Sequence, residues 1–127
     1  MTTPTETDLA GNLLLAKLSE ADRARLAPHF MVFDLSAGHT LHEAGQDVTE
    51  TWFPTRSAMA VFCVATDGGS GAVEVALVGR EGAIGGIVSN GRLPAYATSA
   101  VRFGGRFLRI KTAALELELK FASDREV

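Results

Sequence analysis

The chain reads as a mainly β fold, a sandwich or barrel of short strands with small helices at both ends. Three observations predict it. From Phe30 the apolar residues recur at a period of two instead of the helical period that precedes it. Turn signals rich in Gly, Pro, Asp and Asn follow at intervals of several residues. The 127 residues are 46% hydrophobic, which suits a single globular domain with a proper core.

In chain order, residues 1–8 are polar and Thr-rich and are expected to form a disordered arm before a domain spanning 9–127. Leu9 to Leu18 predicts a short helix, with Leu14, Leu15 and Leu18 at helical spacing. Ser19-Glu20-Ala21-Asp22 resembles a capping box and opens a second helix, with Leu26 inward and Pro28 as its stop. Met31, Phe33 and Leu35 share one face of the first strand. A turn at Ser36-Ala37-Gly38, a strand over 39–42 and a turn at Glu43-Ala44-Gly45-Gln46 follow, with Gly45 at positive φ. Thr51-Trp52-Phe53 is a strand broken by Pro54. Met59 to Ala65 is apolar on both faces and is expected to be fully buried. Residues 66–71 form a hairpin loop leading to Ala72–Val78, where Val73, Val75 and Leu77 lie on one side and Glu74 on the other. After a glycine-rich stretch, strands over 96–103 and 106–111 flank Gly104-Gly105, a tight-hairpin signal. A helix runs from Thr112 to the end, with Leu115, Leu117, Leu119 and Phe121 in its run.

Composition excludes several classes. Net charge is −3, with acids spread along the chain, which is poor for a duplex-binding surface. Arg102, Arg106, Arg109 and Lys111 are only locally basic and read as a solvated strand face. No stretch approaches the roughly 20 apolar residues of a membrane span. The N-terminus has no basic region or apolar signal core, so a cytoplasmic location is expected. Cys63 is the single cysteine, which suits a reducing compartment and reads as a buried, inert thiol.

No catalytic or metal centre is expected, and no cofactor. His39, His42 and Glu43 invite a metal reading of the cupin kind, but strand positions 39 and 42 point to opposite faces. Ser89, Ser99 and Asp67 lack the context of a nucleophile with its base. The Gly79-x-x-Gly82-x-x-Gly85 run has neither the Lys-Ser/Thr of a phosphate loop nor a following helix, and turns account for it.

The punctuation is similar to that of the Crp/Fnr family of transcription regulators. Asn12-Leu13-Leu14, Leu18, Asp22, Leu26 and Pro28 look like the N-terminal helices of those regulators. Leu35-x-x-Gly38-x-x-Leu41-x-x-x-Gly45 resembles their first turns, and Trp52-Phe53-Pro54 stands where they often carry an aromatic-Phe-Pro. Glu74 to Gly85 resembles the family's hairpin and its turn into a ligand-binding cassette, and Arg106 to Ile110 the strand before the helical segment.

The resemblance implies a double-stranded β-helix (jelly roll) of the cyclic-nucleotide-binding-like type, acting as an allosteric bacterial sensor. It places a small-molecule effector at Gly85, Gly86, Ile87, Arg92, Ala95 and Tyr96, and implies a homodimer through the C-terminal helix. Two departures matter. Cyclic-nucleotide binders carry Gly-Glu-Leu and then Arg-Ser or Arg-Thr in the cassette. Here Gly85-Gly86-Ile87 replaces the first, and Ala95-Tyr96 stands in place of the second. A charge-assisted hydrogen bond to phosphate contributes about 1.5–3 kcal/mol, so cAMP or cGMP is not expected to bind in the usual way. Arg92 would rescue the contact if the loop shifts by three residues. The chain also stops at Val127 without a helix-turn-helix, so direct DNA binding by this chain is not expected. It is either a truncated regulator or a stand-alone sensor fold. The alternatives are a cupin-like metal-dependent enzyme and a degenerate stand-alone β-roll.

Overall fold

The structure, a computed structural model, describes residues 2–45, 47–65, 72–85 and 97–125. Three short helices come first: α1 (Glu6–Ala10), α2 (Leu13–Ala16) and α3 (Glu20–Leu26), followed by a 3-10 turn at Ala27–His29. Seven strands follow among the described residues, β1 (Phe30–Leu35), β2 (Thr40–His42), β3 (Glu50–Pro54), β4 (Met59–Ala65), β5 (Ala72–Val78), β6 (Ala97–Phe103) and β7 (Gly105–Lys111). The helix α4 (Thr112–Arg125) closes the described chain.

The expected disordered arm contains structure instead. Thr5 caps α1: its hydroxyl accepts from the Asp8 N–H at 3.1 Å, and the Asp8 carboxylate accepts from the Thr5 N–H at 2.9 Å. This reciprocal box satisfies two donors that a helix start leaves open. The Thr2 carbonyl also accepts from Val32 N–H at 3.0 Å, tying residue 2 to β1. The helix expected over 9–18 is two pieces, because the chain turns at Gly11-Asn12. Asn12 begins α2, its Oδ1 accepting from Leu14 and Leu15 N–H at 2.9 and 3.3 Å. Ser19 caps α3 as expected, accepting from Asp22 N–H at 3.1 Å, and Leu26 is buried.

The strands form two antiparallel sheets, in the orders β1-β7-β3 and β2-β6-β4-β5. Chain order therefore alternates between sheets through β1 to β4, and β6 hands over to β7 across the roll. Gly104-Gly105 is thus a sheet-to-sheet crossing and not the expected tight hairpin. The glycines are needed for closeness: a Cβ on Gly104 would sit 2.9 Å from the Leu35 carbonyl oxygen, and one on Gly105 3.0 Å from the Ala58 Cβ. Gly38 and Gly45 take φ of 95° and 81°, as turns of their type require.

Two cores result. Phe30, Phe53, Leu108 and Ile110 pack with Leu9, Leu15 and Leu26 of the N-terminal helices and Leu115 of α4. Leu41, Trp52, Ala60, Phe62, Ile84, Val101 and Phe107 fill the roll between the sheets. Among the β4 side chains described, Ala60–Phe62 are buried and Met59, Cys63 and Val64 are partly exposed, a departure from the expected full burial. On β5, Val73, Val75 and Leu77 are about half exposed, while Ala76 and Val78 pack on the roll core. A register shift opposite Phe62/Cys63 accompanies this, and β5 ends its sheet.

Candidate functional site

The corner after β5 is built by glycines and one buried amide. Gly79 N–H donates to Glu81 Oε1 at 3.0 Å, and Gly82 N–H to the Gly79 carbonyl at 3.1 Å, closing a turn. Asn12 Nδ2 donates to the carbonyls of Gly82 and Pro54 at 2.9 and 2.8 Å. Its side chain thus ties the helices to the turn and to β3. The chain then enters the roll, where Ile84 and Trp52 exchange backbone hydrogen bonds at 2.8 and 2.9 Å. Gly85 follows, buried, with φ of 97°. A Cβ there would stand 2.6 Å from the Glu50 carbonyl oxygen, 3.0 Å from His42 Cε1 and 3.0 Å from Val48 Cγ1. Only glycine fits.

His42 and the Glu50 carbonyl meet this corner, and further polar groups lie on the adjoining strands. His42 is 7% exposed, and burial pushes its imidazole below the ordinary value of 6.5 against the opposing pull of the Glu50 carboxylate and carbonyl. Its Nδ1 lies 3.5 Å from the hydroxyl of Ser99, itself buried. The pair does not make a nucleophile and base. The carboxylate that could orient the ring belongs to Glu50, and that group is held by Arg109 Nε at 2.8 Å. Arg109 lies with its guanidinium carbon 4.5 Å from the Phe33 ring centroid and 5.7 Å from that of Trp52. Cation–π contacts of this kind hold a charge on an apolar wall. Trp52 is 6% exposed, and its indole Nε1–H is buried with no hydrogen-bond partner among the described residues. Leaving such a donor unmade costs about 1–3 kcal/mol.

Of the six residues expected to bind an effector, Gly85 stands at this corner. Gly86, Ile87, Arg92, Ala95 and Tyr96 lie outside the described residues, as do the hairpin loop over 66–71 and Ser89. His39 is exposed and His42 buried, so the two do not converge. Among the described residues no group of three or more His, Cys, Asp or Glu could hold a metal ion. The basic run divides among acids of other elements: Arg102 pairs with Glu74 at 3.5 Å, Arg106 with Asp8 and Asp34 at 3.1 and 3.0 Å, and Arg109 with Glu50. Sequence reasoning missed the roles of Trp52, Ser99, Glu50 and Arg109. Strand pairing carries the signal for two of them, since Trp52 and Arg109 are direct cross-strand partners. No helix among the described residues is long and apolar enough to cross a membrane.

No family model matches the sequence, and no curated protein matches it either. Solved structures do. The chain is similar to the N-terminal domain of a transcriptional regulator from Streptomyces coelicolor A3(2), with TM-score 0.67 and 22% identity, over 91% of this chain and 80% of that one. The sensor domain of the transcriptional regulator DNR from Pseudomonas aeruginosa gives TM-score 0.72 and 15% identity, over 94% and 79%. A cyclic nucleotide-binding-like protein from Brucella abortus gives TM-score 0.64 and 18% identity, over 90% and 96%. The chain spans under half of the protein kinase A regulatory subunits it also matches. The fold is therefore the double-stranded β-helix of the cyclic-nucleotide-binding-like type.

Proposed function

We propose that this chain is the regulatory sensor domain of a Crp/Fnr-like transcription regulator, holding a small-molecule effector inside the roll at the Gly85 corner. The observation that carries it is the polar furnishing of an otherwise apolar interior. Trp52 Nε1–H has no hydrogen-bond partner among the described residues, the Arg109 guanidinium lies 5.7 Å from the Trp52 ring centroid, and His42, beside Gly85, reaches the Ser99 hydroxyl. Protein interiors rarely keep an unpaired donor without a use for it. An acceptor atom of a ligand would recover that hydrogen bond.

The work is binding and not catalysis. An effector seated there contacts β3, β6 and β7, and β7 continues directly into α4. Ligand occupancy would shift α4 against the roll, which is the form of allosteric coupling such a domain needs. A homodimer through α4 belongs to the same reading, with DNA contacts left to other segments or chains. The effector is not cAMP or cGMP held in the usual way, because Ala95 and Tyr96 stand in the family's Arg-Ser or Arg-Thr position.

Calorimetry with cAMP and cGMP tests that point: no micromolar binding is expected, and micromolar binding of either would overturn it. A panel of candidate effectors read by Trp52 fluorescence tests the site itself. A true effector should change the indole emission in the wild type and, by calorimetry, bind about tenfold more weakly to Trp52→Phe, which keeps an aromatic side chain and removes both the donor and the single tryptophan.

A further inference from the structure

We propose that the pocket at the foot of α4 is a binding site for a small oxygen-acid dianion of the size of phosphate or a short dicarboxylate. The pocket holds about 130 Å³ and is lined by His29, Met31, Glu50, Arg109, Lys111 and Ala114. It shares Glu50 and Arg109 with the polar groups near Gly85 but opens beside α4.

The lining inverts the charge of the molecule. The chain carries net −3, yet here an ammonium, a guanidinium and an imidazole surround one carboxylate. Glu50 and Lys111 are cross-strand partners, and a pair between them would neutralise both. The Glu50 carboxylate goes instead to Arg109 Nε at 2.8 Å, and the Lys111 ammonium has no ion-pair partner among the described residues. Arg109 is fixed on three sides, by Glu50 at Nε, by Met31 Sδ at 3.3 Å from Nη2, and by Phe33 beneath its plane. That packing holds a planar donor in one orientation, while the other terminal guanidinium nitrogen has no hydrogen-bond partner among the described residues and faces no competitor there for an incoming oxygen. His29 lies on the far wall, 3.8 Å from a Glu118 oxygen, and Glu118 is itself held by Arg25 at 3.1 Å.

Size selects the ligand class. A cavity of about 150 Å³ accommodates benzene, so this pocket takes roughly six non-hydrogen atoms. Sites for drug-sized ligands span about 300–1,000 Å³, which leaves a nucleotide without room. A dianion would bridge Arg109 and Lys111 on β7 with His29 before β1 and the start of α4. It would therefore add a tie between the sheet and the helix that leaves it.

The experiment is a titration of the full chain with inorganic phosphate, and separately with malonate, at constant ionic strength set by chloride. Binding is read by calorimetry and by amide shifts of Lys111 and Ala114. Saturable one-site binding of at least one dianion is expected. Lys111→Gln should weaken it about tenfold, and Glu50→Gln, which removes the competing carboxylate, should tighten it several-fold. Lys111 is exposed, so its variant keeps the fold. Phosphate without malonate marks a tetrahedral oxyanion site, and malonate without phosphate a dicarboxylate site; either supports the proposal. The absence of saturable binding by both overturns it, as does affinity unchanged within twofold in both variants. Glu50 and Arg109 are shared with the polar groups near Gly85, so the Lys111→Gln effect, at a residue of this pocket alone, is what separates dianion binding here from effector binding there.

Discussion

Single residues carry the sharpest consequences of this fold. Gly85 and Gly38 both hold positive φ, but only Gly85 faces backbone at contact distance; nothing lies within 4 Å of a Cβ built on Gly38. Gly85→Ala should cost about 2–4 kcal/mol and Gly38→Ala about 1 kcal/mol, measured as shifts in urea midpoint at unchanged slope. Equal losses would mean that the close approach to Glu50 contributes nothing. His42 sets a pH dependence. Its folded pKa lies below 6.5, so the unfolded chain takes up a proton near 6.5 that the folded chain resists. Stability is therefore fully present above that pH and declines as pH falls below it, by at most about 1.4 kcal/mol per pH unit. Asp8 contributes lower down. Burial raises its carboxyl, but hydrogen bonds from Thr5 and Arg106 outweigh that and hold it below 3.8. Its share is present above that value and is lost as pH falls through the lowered one. His42→Gln should flatten the slope between pH 7 and 5 and leave the acid limb in place, as read by melts across pH.

At the scale of elements, the N-terminal helices depend on one amide. Asn12 is fully buried and makes four hydrogen bonds, two to the start of α2 and one each to Pro54 and Gly82. Each partner is a backbone group, and the bonds to Pro54 and Leu15 are buried, so those two groups would otherwise be stranded away from water. Asn12→Ala should cost about 2–4 kcal/mol by chemical denaturation, more than the roughly 1 kcal/mol of an ordinary cap. Thr5→Ala should stay near that ordinary value, because the α1 box lies partly exposed. If the two variants lost equally, Asn12 would be a cap and not a tie between elements.

The whole molecule is joined through β7. Phe107 and Leu108 are adjacent and fully buried, yet one belongs to the roll core and the other to the helix-covered core. A strand shared in this way makes the two cores melt together. Leu108→Ala should cost about 3–5 kcal/mol and should move the Trp52 fluorescence midpoint as far as the far-ultraviolet signal, although Leu108 and Trp52 lie in different cores. Separate midpoints would show two independently folding halves.

Much of this was legible in the residues. The change of period at Phe30, the turns at Gly38 and Gly45, the Ser19 cap and the long last helix are local matters, fixed by side-chain alternation and backbone preference within a few residues. The turn signals indicated a sandwich or barrel, and the resemblance to Crp/Fnr regulators carried by their order implied the roll. What was not legible depends on residues far apart in the chain. Gly104-Gly105 reads as a hairpin until Leu35 and Ala58 come against it from another sheet. Asn12 reads as a simple cap until Pro54 and Gly82 supply carbonyls. Val73, Val75 and Leu77 read as a strand face, and only the sheet order turns them outward. Of the expected site, Gly85 alone lies among the described residues, and the polar groups against it, His42 and the Glu50 carbonyl, come from β2 and β3. The sequence by itself determined the elements and the class of fold, because both follow from short-range chemistry. Tertiary structure decided which polar groups are buried together, because the neighbours of His42, Trp52 and Arg109 are brought by strand pairing across many residues.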